Sequence, residues 1–461
     1  MDWHRLVGLL LLWLTGCTVG PDYVQPEVAV PEQFGEGGTP TVTHTAALWR
    51  DFEDDALSAL IDLGLARNFD IQSSLARLDE SRALSGLSKF SLFPTVTASA
   101  SSERNRQSGR DPFTFEGLGV SEVHQFQFDS VWEIDLFGSL KRQNQQIVRR
   151  VQADQARAQD MRRIITAEIA QSYYSLRGVE ARRLVQQRAV DTQQERVAII
   201  ERALSAGRGT ALDLARVRTQ ESVLRATLPP LEAERERARQ RLAVLISDNV
   251  FKVDELLALS QVANDMVFPE ALAIGTPEEW LKRRPDVRVA ERELAIASAT
   301  IGVQTAEFYP KLNLVGNFGY SGTALSDLGE SDATKWRIGP SLQWRFLDFG
   351  RVRQRVMAAE AAERRALADF RVTLLRALED MENALTAFRT TSESVIALEQ
   401  AYRHSLTATR LARLRFDNGA SGLLEVLDTE RTEADIANQL AQAKTVRATA
   451  LVAVYKALAA N

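Results

Sequence analysis

From Gly138 to Ala206 the sequence keeps a helical pattern with no proline and one interior glycine, Gly178. A helix of that length spans ~100 Å at 1.5 Å per residue. A second such run extends from Arg351 to Phe416, and each is followed by a return helix about half as long, Thr210 to Ile246 and Gly422 to Leu458. The two turnings match: Gly207-Arg208-Gly209-Thr210-Ala211-Leu212-Asp213-Leu214, and Arg415-Phe416-Asp417-Asn418-Gly419-Ala420-Ser421-Gly422-Leu423-Leu424-Glu425-Val426-Leu427-Asp428. Gly207 and Gly419 supply the left-handed conformation that ends a helix. Asp213 holds the place of Glu425, and Glu425 and Asp428, three apart, share one face of the second return helix. The chain is therefore predicted to be framed by two long helical hairpins with matching tips. Pro229-Pro230 in the first return helix must kink or briefly break it.

What precedes each hairpin also repeats. A helix from Asn68 to Ser91, after one from Trp49 to Ala66, stops at Pro94, and Asp286 to Pro310 parallels Asp70 to Pro94. Thr276-Pro277-Glu278-Glu279 has the form of a capping box with proline at the first helical position. After each Pro94-type stop the period changes from helical to alternating. Phe126, Phe128, Trp132 and Ile134 face one way and Gln127, Asp129, Glu133 and Asp135 the other. In the second half Leu312, Leu314, Phe318 and Tyr320 share a face. Trp336, Ile338, Leu342, Trp344 and Phe346 oppose Arg337, Ser341, Gln343 and Arg345. About ten residues of period two is the signature of a membrane β-strand. Each long helix exceeds its return partner by ~45 Å, of which a ~24-residue helix supplies ~36 Å. The short helices are thus expected to stack end to end beside each long one.

The boundaries follow: residues 1–16 a signal peptide, 17–48 a lipidated Pro/Gly/Thr-rich tether, 49–275 a first repeat and 276–461 a second. The first repeat holds strands at about 95–104 and 124–135 and a hairpin over 138–247. The second holds strands at about 311–321 and 335–348 and a hairpin over 350–459. The fold class is mainly α with membrane β. Four strands per chain leave two open edges, which lipid does not tolerate. Eight strands from a dimer would be filled by side chains, whereas twelve from a trimer would enclose a lumen lined by Asn313, Asn317, Gln343 and Arg345. A small soluble sheet packed on helices is the plainer alternative, and the aromatics crowding one face favour the barrel.

A net charge of −5 leaves no basic footprint for nucleic acid. Histidines 4, 44, 124 and 404 are scattered, without metal-ligand spacing, and no phosphate loop or nucleophile elbow occurs, so neither enzyme nor cofactor is expected. His4 and Arg5, the apolar run Leu6 to Leu14 and Thr15-Gly16 make a secretory signal. Leu14-Thr15-Gly16-Cys17 resembles a bacterial lipobox, which makes the sole cysteine, Cys17, the site of a covalent lipid. Thr18 in place of aspartate resembles lipoproteins sorted to the outer membrane.

Leu281-Lys282-Arg283-Arg284-Pro285-Asp286-Val287-Arg288, Ala290-Glu291 and Ile301-Gly302-Val303 through Tyr309-Pro310 closely resemble the outer membrane factor (TolC-like) family. Gly16-Cys17-Thr18-Val19-Gly20-Pro21-Asp22-Tyr23 with Pro26, and Leu228-Pro229-Pro230-Leu231-Glu232, resemble its lipoprotein branch, the NodT-type channels of resistance-nodulation-division pumps. The resemblance implies a homotrimer with a twelve-stranded barrel in outer membrane lipid and a twelve-helix periplasmic tunnel. It implies a periplasmic adaptor and an inner-membrane transporter as partners, and export of drugs or other solutes. It places Phe416, Glu425 and Asp428 at the periplasmic gate, and makes the tips at Gly207, Thr210, Asp213, Gly419 and Gly422 the place where an adaptor docks. Relatives often carry aspartate in place of Glu425 and a basic residue in place of Ser421.

Helix electrostatics alone favour an acid at Glu425 and suffice for Asp213. Asp428 lies deeper, and threefold symmetry would bring six carboxylates to one opening, a ring that attracts cations. A protein-secretion channel of the same fold and a lipid-anchored scaffold without a pore are the rival functions.

Overall fold

The computed structural model describes residues 18–27, 30–31, 34, 54–106, 108, 120–259 and 276–458. The signal segment, Cys17 and the start of the helix expected from Trp49 lie outside them. The chain divides into two compact units, one of Met1–Glu27, Arg77–Gln155 and Val289–Arg371, the other of Val28–Ala76, Ala156–Arg288 and Val372–Asn461.

The first half contains α1 (Asp55–Arg67), α2 (Phe69–Phe90), β1 (Thr95–Arg106), β2 (Val120–Ile134), α3 (Ser139–Ser205), α4 (Ala211–Ala226), α5 (Leu228–Leu245) and α6 (Val250–Leu257). The second contains α7 (Pro277–Arg283), α8 (Pro285–Ala306), β3 (Lys311–Gly322), β4 (Thr334–Gln343), α9 (Phe349–Asp417) and α10 (Leu423–Ala457). The repeat is close: α2 and α8 have 22 residues each, and α3 and α9 have 67 and 69.

The break expected at Pro229-Pro230 divides the first return helix into two, with Thr227 between them at φ −82°, ψ −16°, because Pro229 and Pro230 lack the N–H groups that a continuous helix would use. Three expectations need correction. The strand expected to reach Asp348 ends at Gln343, so Arg345 is not a strand residue and α9 begins at Phe349. Its alternation continued past the last ladder pair, Lys311 with Gln343, which only the partner strand could reveal. The capping box at Thr276 is not made: no side-chain cap bond forms there, and proline alone opens the helix. Finally, β2 starts at Val120, four residues before its expected start.

In the first unit the four strands form one antiparallel sheet in the order β1-β2-β3-β4. Directly opposed residues share a face, and the register aligns Ala98, Phe128, Phe318 and Trp336 in one row. The next row, on the opposite face, is Thr97, Asp129, Asn317 and Arg337. One face is therefore aromatic and the other polar, and among the described residues the outer edges of β1 and β4 have no strand partner. The indoles of Trp132 and Trp344, equivalent by repeat, donate to the carbonyls of Leu92 and Phe308, each at 3.0 Å. Both carbonyls lie two residues before the prolines that stop the preceding helices. Trp336 is 71% exposed on the aromatic face.

The segment after residue 17 is strapped onto this unit. Arg142, with a side chain only 3% exposed, donates to the carbonyls of Val19 and Gly20 and to Asp22 at 3.2, 3.0 and 2.9 Å. Val19 N–H donates to Phe137 O at 3.1 Å and Tyr23 O–H to Glu291 Oε1 at 2.6 Å.

The second unit holds the main core. Leu57, Leu60 and Ile61 of α1 meet Ile165, Ile169, Tyr173 and Leu176 of α3, Leu242 and Leu245 of α5, and Leu451 of α10. Asp54 caps α1 by accepting from Ala56 N and Leu57 N, and also accepts from the Tyr173 hydroxyl. Burial and then that hydrogen bond push the Tyr173 phenol up to about 12. Gly178, the lone glycine of α3, lies close against α10: a Cβ there would lie 2.0 Å from Thr445 Oγ1.

End-to-end stacking is seen at two equivalent joints. Asn68, 3% exposed, donates to Leu245 O at 2.9 Å, the last carbonyl of α5, while its own oxygen caps α2 through Asp70 N and Ile71 N. Arg284, 2% exposed, donates to Ala457 O at 3.1 Å, the last carbonyl of α10, and pairs with Asp286 and Asp380 at 2.6 and 3.3 Å. Among the described residues no helix is long and apolar enough to cross a membrane.

Candidate functional site

The two hairpin tips are built alike. At the first, Gly207 has φ +69°, Arg208 N–H returns to Ala203 O at 2.8 Å and Gly207 N–H to Leu204 O at 3.0 Å. At the second, Gly419 has φ +70°, with Ala420 N–H to Arg415 O at 2.8 Å and Gly419 N–H to Phe416 O at 2.9 Å. Both are Schellman closures, and glycine takes the left-handed position without the Cβ clash. Phe416 is half-buried in the last turn of α9, whereas Gly207, Thr210, Gly419 and Gly422 are exposed.

The return helices start differently. Thr210 caps α4: its hydroxyl oxygen accepts from Asp213 N–H at 3.1 Å and its O–H donates to Asp213 Oδ2 at 2.6 Å. In α10 the capping position is Gly422, which has no side chain, and Glu425 is free to turn elsewhere. Glu425 accepts from Arg415 at 3.0 Å, across the hairpin, and Asp428 accepts from Arg431 at 2.8 Å. The two carboxylates thus share a face, and each faces an arginine of its own hairpin. Ser421 Oγ is buried and makes no hydrogen bond.

Just behind the tips the hairpins lock together. Val197, Ile200 and Val217 of the first form a small core on which Leu423 and Leu427 of the second pack. Beside it Glu430 of α10 receives Arg196 of α3 and Arg413 of α9, the latter at 2.8 Å. The Glu430 and Arg196 side chains are each only 12% exposed. Glu430 Oε2 and Arg196 Nε are buried without hydrogen-bond partners. Removing one member of such a group leaves an uncompensated buried charge, at a cost of about 3–5 kcal/mol. A cavity of about 170 Å³, lined by Arg188, Gln220, Tyr402, Arg413, Glu430 and Asp435, opens beside the bridge.

Glu430 and its arginines are absent from the sequence-based expectations. Arg413 and Glu430 lie symmetrically about the turn, so cross-hairpin pairing could have brought them together. Arg196 is on the other hairpin, and no local pattern reports how two hairpins pack. At the start of each return helix an exposed leucine stands in the same place, Leu212 and Leu424.

The description "outer membrane efflux protein" belongs to the family model that matches residues 60–247 and 276–460, the two repeats described above. Nodulation protein T of Rhizobium leguminosarum bv. trifolii is 28% identical over 91% of this chain and 89% of its own length. Outer membrane protein OprJ of Pseudomonas aeruginosa is 28% identical over 98% of this chain and 94% of its own. The solved outer-membrane channel OprN superposes with a TM-score of 0.90 at 33% identity, covering 96% of this chain and 99% of that one. The chain belongs to the outer membrane efflux protein family.

Proposed function

We propose that three copies of this chain close their sheets into a twelve-stranded barrel and serve as the passive outer membrane conduit of a tripartite pump. A periplasmic adaptor and an inner-membrane transporter are the partners, and the transporter supplies the energy. The observation that carries this reading is the four-stranded sheet with two open edges and opposite aromatic and polar faces. Edges of that kind are stable in lipid only when paired, and pairing edges between copies puts the polar rows in a lumen. Cys17 carries the covalent lipid, and the strap held by Arg142 brings the chain just after it to the joint between β2 and α3. The tips, with Gly207, Thr210, Gly419 and Gly422 exposed, Asp213 half-buried, and exposed Leu212 and Leu424 beside them, are the docking points for the adaptor. Phe416, Glu425 and Asp428 form the gate. The Glu430 bridge holds the second hairpin against the first, and opening is its release.

Reconstitution of the purified lipoprotein into planar bilayers tests the reading. The expected result is a trimer by mass that gives discrete single-channel currents. A folded trimer without currents would leave a scaffold and overturn the conduit.

A further inference from the structure

The aromatic face changes character toward the end of the sheet that carries the β1–β2 and β3–β4 connections. In register, one row is Ala98, Phe128, Phe318 and Trp336, and the next is Ala100, Phe126 and Tyr320. Beyond these come Ser102, His124 and Gly322, then Arg104 with Glu122, and last Arg106 with Val120. The segment after β3 folds back here. Asp327 accepts from Thr323 N–H and Ala324 N–H, each at 2.9 Å, and sits so close over Gly322 that a Cβ there would meet Asp327 Cβ at 2.4 Å. The fold brings Leu325 and Leu328 over the sheet, and with Ala100, Phe126 and Tyr320 they line an apolar cavity of about 460 Å³.

Two further observations say what belongs there. His124, on the same face and one row further out, is 9% exposed, and its Nδ1 is buried without a hydrogen-bond partner. Further out still, Arg104 and Arg106 are exposed; Glu122, the carboxylate paired with Arg104 among the described residues, stands 3.8 Å away and is itself half exposed. Along about four residues of strand, ~13 Å at 3.3 Å per residue, the face passes from apolar hollow to buried imidazole to guanidinium. That is the polarity profile of a lipid molecule, from acyl chain through its polar linkage to an anionic head.

We infer that this corner binds one phosphorylated, acylated glycolipid of the outer leaflet. One acyl chain fills the hollow under Leu325 and Leu328, its polar linkage lies over the row of Ser102 and His124, and a phosphate lies against Arg104 and Arg106. The inference rests on the barrel proposed above, which turns the aromatic face to lipid and the two connections to the cell exterior. Aromatic girdles mark the interfaces of such barrels, and arginine forks suit phosphate. The hollow lies on the rows of β1, β2 and β3 within a single chain, so a neighbouring copy is not needed to form it.

The test is native mass spectrometry of the full-length trimer in detergent, titrated with bisphosphorylated lipid A and, separately, with phosphatidylglycerol. Ala100→Trp fills the hollow while keeping the face apolar. Arg104→Gln/Arg106→Gln removes the anion contact without touching the hollow. Wild type is expected to hold lipid A in preference to phosphatidylglycerol; Arg104→Gln/Arg106→Gln is expected to hold it about tenfold more weakly or worse, and Ala100→Trp to lose it by filling the hollow. The same preparations are checked for channel currents. Conducting variants that bind lipid A as well as wild type overturn the site. Equal retention of phosphatidylglycerol by wild type reduces it to a general anionic annulus and also overturns it. Absence of currents from every preparation traces the failure to the barrel beneath the inference.

Discussion

Arg284 and Asn68 occupy the same place in the two repeats, yet they solve the same problem with different chemistry. Both must satisfy the last carbonyl of a return helix in a site closed to water, because a buried unpaired acceptor costs about 1–3 kcal/mol. Asn68 does so as a neutral amide. Arg284 brings a charge into the same position and needs Asp286 and Asp380 to balance it. At Asp286, burial raises the carboxyl while the hydrogen bond and charge of Arg284 lower it, and the lowering wins. A carboxyl held below its unfolded value stabilises the fold above the ordinary carboxylate range and loses that contribution as pH falls through the folded value. Asp286→Asn should therefore melt below wild type at pH 7, with the gap closing as pH drops below about 4, which thermal unfolding across that range will show. The residue scale also divides what sequence can report. Asp213 as part of a helix start was legible, because threonine three residues ahead of an acid is a local signal. The partner of Glu425 was not, since Arg415 is reached across a turn, and the Arg196–Glu430 bridge joins hairpins far apart in sequence.

At the scale of elements, helix lengths and both glycine tips were readable because proline and glycine act on the backbone they occupy. The end of β4 was not, since a strand stops where its partner stops bonding and alternation runs on regardless through Trp344 and Phe346. Gly178 shows a second kind of hidden constraint. Helix propensity alone favours alanine over glycine by about 1 kcal/mol. Here the added methyl would strike Thr445 of α10, and overpacking of that kind costs about 1–3 kcal/mol. Gly178→Ala should thus lower the melting temperature of the protein, and Gly178→Ala/Thr445→Ala should recover it. A gain from the single change would mean that α3 and α10 do not meet closely at this point.

For the whole molecule, the duplication is visible in the sequence alone, because both halves repeat a proline stop, a strand pair and a glycine tip. Its functional asymmetry is not. Thr210 and Gly422 begin equivalent helices, but only the first caps with a side chain, which leaves Glu425 free to face Arg415. The second hairpin carries Phe416, Glu425 and Asp428, and just behind its tip Glu430 pairs with Arg196 of the first. In the proposed conduit this tie and the carboxylates of Glu425 and Asp428 keep the opening closed. The most direct test is single-channel conductance of wild type beside Glu430→Gln and Glu425→Ser/Asp428→Ser. Small, cation-selective currents in wild type, larger in Glu430→Gln and larger with reduced cation selectivity in the double variant, are the predicted result. Currents from folded Glu430→Gln trimers identical to those of wild type would contradict it.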